Sequence, residues 1–291
     1  MSVSEEDRVQ LSYFPGCSLH STAREYDAST RAVCQALGIE LRELADWNCC
    51  GSTSAHSLNA ELAGLLPRRN LEIAERAGLD LMVPCAACYG RSKLAEAELR
   101  AAAAAGEESF YTGQVRISHI LDVLAEAEML GRLREQVKKP LVGLQAVCYY
   151  GCLTVRPPQI TGALNCECPE SMDRLVELAG ATALPWSYKT DCCGASLTLT
   201  RPDLVVRLID RLLMMAEEAG AECVVVACSM CHANLDARQR EAASQFGRRY
   251  ALPVFYISEL LGLALDLPEA PRWWQRHLTD PLALLKARGL A

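Results

Sequence analysis

Two cysteine motifs return at one fixed separation. Cys49-Cys50-Gly51 recurs as Cys192-Cys193-Gly194, and Cys85-x2-Cys88 recurs as Cys228-x2-Cys231, both 143 residues later. The chain has 15 cysteines in 291 residues. At that density, four coincidences at one offset have a chance probability on the order of one in a hundred thousand, so the chain reads as a duplicated unit. A third element, Gly16-Cys17, recurs as Gly151-Cys152 at an offset of 135, which puts an eight-residue insertion in the second copy, at Pro157–Pro169. The first half reads C-x31-CC-x34-C-x2-C and the second C-x39-CC-x34-C-x2-C. Flanking sequence repeats as well. Leu79–Pro84 parallels Glu222–Ala227, and Ile117-Ser118-His119-Ile120-Leu121 parallels Ile257-Ser258-Glu259-Leu260-Leu261. The expected domains are 1–138 and 139–291, joined at Lys138-Lys139-Pro140, where proline bars helix continuation.

Composition narrows the chemistry. Cysteine falls short of the density of a small disulfide scaffold, and the chain is far too long for one. The start, MSVSEEDRVQ, is polar and acidic. No apolar run reaches the roughly 18 residues of a membrane span. A cytoplasmic, reducing location is therefore expected, without a secretory signal or a transmembrane segment. A net charge of −7 argues against nucleic acid as a partner. A large chain rich in reduced thiols points to metal.

Strand-like and helix-like stretches alternate. Strands are expected at Val9–Phe14, Leu41–Ala45, Leu79–Val83 and Val115–Ile117, and again at Leu141–Ala146, Ala181–Pro185, Cys223–Ala227 and Val254–Ile257. Helices are expected at Ala23–Leu37, Ala55–Arg76, Tyr89–Ala104 and Ser118–Leu130, then at Ser171–Ala179, Pro202–Ala219, Met230–Gln245 and Ser258–Leu263. The parsimonious fold is α/β: two duplicated Rossmann-like domains with mainly parallel sheets, related by a pseudo-two-fold axis. Each cysteine motif then follows a strand, outside the carboxyl ends where open α/β sheets bind ligands. A helix amino terminus close by lowers a thiol's pKa.

Five cysteines per half is one more than a tetrahedral zinc site uses. It is also one more than an ordinary [4Fe–4S] cube takes, and the compact ferredoxin run is missing. Consecutive side chains point apart in an extended chain, so a CC pair serves two irons, or one from a bent turn that Gly51 and Gly194 permit. Thiolates suit zinc and iron–sulfur alike, so both remain open on this ground. Cys34, on the apolar face of a helix, and Cys223, at the opening of a strand, read as core. Cys148, Cys166 and Cys168 have no repeat partner, and the last two fall in the insertion.

At these motifs the chain becomes recognisable. Gly16-Cys17-Ser18-Leu19-His20, Trp47-Asn48-Cys49-Cys50-Gly51, Tyr150-Gly151-Cys152, Asp191-Cys192-Cys193-Gly194 and Cys228-x2-Cys231 resemble the cysteine-rich CCG domains in the B subunit of heterodisulfide reductase. The likeness runs end to end and includes the tail Trp273-Trp274-Gln275-Arg276-His277-Leu278-Thr279-Asp280-Pro281. It implies a noncubane [4Fe–4S] cluster in each half. Cys17, Cys49, Cys50, Cys85 and Cys88 would hold one, and Cys152, Cys192, Cys193, Cys228 and Cys231 the other. In some relatives zinc replaces the amino-terminal cluster. The resemblance also implies a catalytic role in which the clusters face a shared pocket. There a small-molecule or protein-bound disulfide is cleaved, or formed in the oxidative direction, with each cluster giving one electron and holding one sulfur. Cys17, Cys49, Cys50, Cys152, Cys192 and Cys193 are the cysteines nearest that chemistry. The chain has no ferredoxin run, P-loop or GxGxxG. Two partners of the same complex are therefore expected, an iron–sulfur protein like its C subunit and a flavin protein like its A subunit. The alternative function is a non-catalytic electron-transfer CCG protein of a succinate/fumarate, lactate or glycolate dehydrogenase.

Other residues are weighed by position. His20, His56 and His232, close to ligand cysteines, are candidates to protonate a leaving thiolate or bond a cluster sulfur; polar contacts at helix starts are the plainer reading. His119 and His277 are expected at the surface or an interface. Lys189 and Arg156 are either cations for an acidic disulfide or ordinary surface charge. Tyr149-Tyr150 line the pocket or pack. The tail, about 268–291, docks a partner or covers its own core, with Trp273-Trp274 beside Arg272 and Arg276.

Overall fold

The structure, a computed structural model, describes residues 8–52, 54–106 and 111–291; the first seven residues of the polar amino-terminal stretch lie outside it. The first repeat runs β1 (Val9–Tyr13), α1 (Gly16–His20), α2 (Arg24–Ala36), β2 (Ile39–Glu43), α3 (Ser54–Leu58), α4 (Ala60–Ala77), β3 (Leu81–Val83), α5 (Ala86–Ala104), β4 (Ile117–His119), α6 (Ile120–Leu124) and α7 (Ala127–Gln136). The second runs β5 (Gln145–Tyr149), α8 (Pro158–Thr161), α9 (Ser171–Leu178), β6 (Thr182–Ala183), α10 (Pro202–Glu218), β7 (Cys223–Val226), α11 (Ser229–Ala237), α12 (Gln239–Phe246), β8 (Val254–Tyr256) and α13 (Ile257–Ala264). The tail adds α14 (Ala270–Trp273) and α15 (Leu282–Ala287).

The strands form two four-stranded sheets, ordered β2-β1-β3-β4 and β6-β5-β7-β8, with every pairing parallel. This is the duplicated α/β architecture expected from the cysteine repeat together with the alternation of strands and helices. Central β3 and β7 are buried throughout, as all-apolar strands covered on both faces must be. In each sheet the connections leave in opposite directions either side of the first strand, so a topological switch lies between β1 and β3, and between β5 and β7. The cysteine loops emerge around these two switches.

Several boundaries differ from expectation, for local reasons. β5 begins four residues later than Leu141, because Pro140 and Gly143 (φ +85°) shape a turn ahead of it. Cys148 therefore lies within the strand and is fully buried. The helix expected over Ala55–Arg76 breaks at Asn59, whose extended backbone and side-chain oxygen, accepting from Leu62 N at 2.9 Å, cap α4. α5 starts three residues before Tyr89, so Cys85 is its N-cap and Cys88 sits in its first turn.

The repeats also align differently past β3 and β7. Leu81 pairs with Ile117 and the equivalent Val224 with Val254, so Ile117 corresponds to Val254 and not to Ile257. Matching caps follow. The His119 N–H donates to the Asp122 carboxylate at 2.9 Å, and the Tyr256 N–H to that of Glu259 at 3.0 Å. The Ile-Ser shared by both stretches is a coincidence of short apolar strings.

The two repeats meet over α2 and α13. Tyr26 stacks on Tyr256 with centroids 4.0 Å apart, and the Ser29 and Ser258 hydroxyls are 2.7 Å apart. His119, expected at the surface or an interface, is buried at the junction between the repeats. Its Nε2 lies 3.0 Å from the Pro84 carbonyl and 3.1 Å from that of Ala227. Those equivalent residues directly precede Cys85 and Cys228, so one imidazole ties together the starts of both Cys-x2-Cys helices. Burial pushes its pKa down, against the pull of Asp122, and favours the neutral ring.

The tail folds back on the second repeat. Trp273 and Trp274 are each only 5% exposed. Gly262 has no Cβ because one would stand 2.4 Å from the Trp273 ring. His277, expected at the surface or an interface, has a fully buried side chain under the tail and meets Glu259 at 3.1 Å. Arg272, Gln275, Arg276 and Leu278 are among the residues that the tail leaves exposed.

Candidate metal centre and adjoining cavity

Each repeat gathers its five cysteines from three loops. Cys17 stands in α1, directly after β1, and Cys49-Cys50 in the loop after β2. Cys85 and Cys88 open α5. In the second repeat Cys152 follows β5, Cys192-Cys193 follow β6, and Cys228 and Cys231 open α11. Residues up to 71 positions apart in the first set thus converge on one sheet end.

The thiols are close but reduced. Cys17 and Cys49 Sγ are 3.7 Å apart, Cys50 and Cys88 3.3 Å, and Cys193 and Cys231 3.6 Å, all far beyond a disulfide bond of about 2.05 Å. Cys49 is also hydrogen-bonded to Cys50, and Cys152 to Cys192. The CC pairs are bent, and Gly51 and Gly194, at φ +73° and +75°, supply the bend. Their N–H groups donate to Cys49 Sγ at 3.5 Å and Cys192 Sγ at 3.3 Å. The sets approach each other across the repeat boundary, where Cys85 receives the hydroxyl of Ser229, the neighbour of Cys228, at 3.5 Å.

Small residues make this density possible. A Cβ on Gly16 would lie 2.7 Å from Cys88 Sγ, and one on Gly151 2.9 Å from Cys231 Sγ. In each repeat the glycine before the first cysteine makes room for the sulfur of the last.

Protons are shared unequally among the bare thiols. Hydrogen bonds from Cys49 and Cys88, against burial, bring Cys50 down to about 4. The hydrogen bond from Cys152 brings Cys192 down to about 6. The donors Cys49 and Cys152 are pushed up in return. Five thiols at such distances cannot all ionise unless cations replace the protons, as a metal centre does. The donor set fits a soft metal: clustered sulfurs, backbone N–H bonds to them, and no room for side chains in the cradle. The unrepeated cysteines do not join. Burial pushes Cys34 up to about 12 and raises Cys148 and Cys223, the inert behaviour of core thiols. Cys166 and Cys168 stay in the partly exposed insertion.

A cavity of about 390 Å³ adjoins only the second set. All five of its cysteines line one wall: Cys152, Cys192, Cys193, Cys228 and Cys231. The facing wall comes from the first repeat, through His56 and the α5 residues Ala86, Ala87, Gly90, Arg91 and Leu94. Leu153, Pro157 and Ile160 close a third side, so the insertion contributes to the cavity. None of the first repeat's cysteines lines it, which departs from the expected pocket shared symmetrically by both sets. A larger space of about 690 Å³ lies under the tail, between Lys139, Leu263, Trp274 and Leu290. It touches no cysteine, so the smaller cavity is where sulfur chemistry has access.

The other expected residues separate clearly. His20 is exposed, pairs with Glu43 at 3.0 Å and packs edge-on against Trp47, beside the first set but away from the cavity. His232 is buried. Its Nε2 bonds the Val254 carbonyl at 3.0 Å, its ring stacks on Tyr256, and burial drives its pKa well down. It forms no part of the cavity wall, so it is not placed to protonate a substrate there. Lys189 is neither surface charge nor substrate cation, because it is buried on Asp173 at 2.7 Å and the Pro169 carbonyl at 2.9 Å. Arg156 does line the cavity, but it is held by Glu167 at 2.7 Å and the Thr190 hydroxyl at 3.2 Å. Tyr150 lines the cavity while its hydroxyl donates to Asp173, and Tyr149 donates to the Asp191 carbonyl. Arg91 carried no expectation from the sequence. Its one available signal is a position three residues beyond Cys88, one helical turn from that cysteine.

Known proteins resemble this chain. The model of a cysteine-rich domain, CCG, matches residues 11–91 and 146–236. The chain is 31% identical over 282 residues to the 8-methylmenaquinol:fumarate reductase membrane anchor subunit of Wolinella succinogenes, covering 94% of this chain and 99% of that protein. It is 28% identical over 271 residues to the B subunit of the ferredoxin/F(420)H(2)-dependent CoB-CoM heterodisulfide reductase of Methanosarcina acetivorans, covering 88% and 89%. A crystal structure of a hypothetical protein from Helicobacter pylori superposes with a TM-score of 0.69 at 11% identity, over 93% of this chain and 52% of that one. That last likeness concerns the fold alone. Among the described residues no helix is long and apolar enough to cross a membrane.

Proposed function

This chain belongs to the cysteine-rich CCG-domain family, and from that premise we propose that it is the thiol- and disulfide-handling iron–sulfur subunit of a heterodisulfide reductase-type complex. The observation that carries the reading is the cavity walled by all five cysteines of the second repeat. A protein that only relays electrons needs no substrate-sized space against its redox centre. The space of about 390 Å³ would take the cluster against its cysteine wall and leave the part lined by His56, Arg91, Leu94 and Ile160 for a small molecule.

In this reading each five-cysteine set, in domains 1–138 and 139–291, holds a noncubane [4Fe–4S] cluster. A cluster bound there supplies one-electron steps and iron open to sulfur. The chain's own groups do the rest. Gly51 and Gly194 N–H bonds favour the thiolate form of Cys49 and Cys192. Apolar Leu94, Leu153 and Ile160 lower the polarity of the cavity beside the cysteines. The Ser229 hydroxyl, next to Cys228, bonds Cys85 Sγ at 3.5 Å and brings the two sets side by side for electron exchange. The balanced reaction is R–S–S–R′ + 2 e⁻ + 2 H⁺ → R–SH + R′–SH. The electrons come from the C-type iron–sulfur and A-type flavin partners of such a complex, and the reverse direction forms the disulfide.

A second reading is supported by the Wolinella relative: an electron-transfer subunit of a fumarate reductase-type complex. EPR spectroscopy of the oxidised, anaerobically purified protein with added thiols separates the two. The disulfide reading expects a new paramagnetic signal that depends on the thiol. Silence across all thiols favours plain electron transfer.

A further inference from the structure

The cavity wall facing the cysteines belongs to the other repeat, and its charge is one-sided. Among the described residues no Asp or Glu lines the cavity, although the chain as a whole carries −7. Its two arginines differ. Arg156 is engaged by Glu167 and Thr190, whereas Arg91 makes no hydrogen bond or ion pair with any described residue. Arg91 is partly buried, so a guanidinium with five donors stands half-desolvated without a partner. His56 is likewise without a side-chain partner among the described residues. Both also line an outer cavity of about 550 Å³, whose Glu98 is already paired with Arg68 at 3.1 Å and whose Glu61 stays outside the inner one.

Backbone packing fixes Arg91 in this place. Gly90 sits against the second repeat, where a Cβ would stand 3.4 Å from the Leu153 carbonyl oxygen. α5 therefore lies close along the cavity, and the residue after Gly90 enters it beside Leu94. A ligating cysteine wall is negative, so a substrate with its own negative charge is repelled there unless a cation holds its far end. A planar guanidinium suits carboxylate, sulfonate or phosphate groups better than any other side chain.

We propose that Arg91, seconded by His56, recognises an anionic group on the thiol or disulfide that enters the cavity. The first repeat thereby selects the substrate on which the second repeat's cysteines act. This rests on the disulfide reading above and assigns Arg91 as a specificity-determining residue.

The test titrates the oxidised holoprotein with three thiols of similar size: 3-mercaptopropionate, neutral 2-mercaptoethanol and cationic cysteamine. The readout is the half-saturating concentration of the thiol-dependent EPR signal. A charge-assisted bond of ordinary strength makes the carboxylate bind about 10- to 100-fold tighter than the neutral thiol. Arg91→Gln brings the two within about twofold and leaves 2-mercaptoethanol unchanged, Arg91→Lys keeps part of the preference, and His56→Gln removes a smaller part. Equal metal content and melting temperature exclude misfolding, which is not expected because Arg91 holds no bond to any described residue. In turnover, 3,3′-dithiodipropionate shows a raised KM in Arg91→Gln at unchanged kcat, while bis(2-hydroxyethyl) disulfide shows neither change. A carboxylate preference that is absent from the wild type, or survives Arg91→Gln, overturns the proposal and leaves the disulfide reading standing. Silence with every thiol overturns that reading and the proposal with it.

Discussion

Replacing Gly16 by alanine separates the demands of the metal centre from those of the fold. Gly16 has φ +73°, and the added Cβ stands 2.7 Å from Cys88 Sγ. Ordinary contact begins near 3.4 Å, so the sulfur must retreat by about 0.7 Å. Metal–ligand distances tolerate only about 0.2 Å. The left-handed backbone adds about 1–2 kcal/mol of strain, too little to unfold a domain with a stability of about 5–15 kcal/mol. Gly78 provides the control, since it has φ +70° and nothing within 4 Å of its Cβ. Gly78→Ala therefore bears the same backbone strain without touching sulfur. Iron, zinc and acid-labile sulfide per chain, measured beside thermal unfolding, form the assay. Both variants should melt slightly earlier, but only Gly16→Ala should lose the metal of the first set. Gly151→Ala, with its Cβ 2.9 Å from Cys231 Sγ, should lose that of the second. Wild-type metal content and spectra in Gly16→Ala would refute the argument that this glycine exists to seat Cys88.

Metal analysis of the native protein should give about eight iron and negligible zinc, because each set offers five thiolates; four iron with one zinc would place zinc in the first set, and zinc alone would end the redox reading. Cys193→Ser, in the cavity wall, should abolish the thiol-dependent EPR signal and disulfide cleavage while the protein stays soluble, and retained activity would remove the second set from the reaction. Alanine at His119 leaves the buried Ala227 carbonyl without its imidazole partner, while the Pro84 carbonyl keeps the Tyr26 hydroxyl, and should cost about 1–3 kcal/mol in urea unfolding. His277 gives a pH dependence. Burial pulls its pKa down, but the facing Glu259 carboxylate outweighs this and the net shift is upward. The pair's contribution is then complete below the ordinary histidine value of about 6.5 and is lost as pH rises through the raised folded value. The melting-temperature gap between wild type and His277→Gln should shrink as pH increases across that range.

Much of the site was legible because duplication and chelation both leave marks in sequence order. Two copies of one cysteine spacing pointed to the two-sheet α/β architecture, and Gly51 and Gly194 signalled the bent CC turns that the structure contains. Cys34 and Cys223 read correctly as core. Legibility failed where a residue's partners lie in the other repeat. His119 read only as a surface or interface histidine, because the carbonyls it bridges, at residues 84 and 227, are remote in sequence. His232 looked catalytic from its neighbour Cys231, but a helix turns successive side chains about 100° apart, and this one points into the core.

The sequence by itself determined which atoms can bind metal, since thiolate chemistry and ligand spacing are properties of residue type and order. It also determined that there are two such sets on one repeated α/β plan. Only the tertiary structure decided that the sets are unequal. The cavity forms where α5 of one repeat packs against the Cys152 loop of the other, so it opens on the second set alone. The same packing takes Lys189 into an ion pair, secures Arg156 and leaves Arg91 without a partner among the described residues. Part of that difference is local, in the insertion whose Pro157 and Ile160 line the cavity; the rest arises from how two similar units are placed against each other.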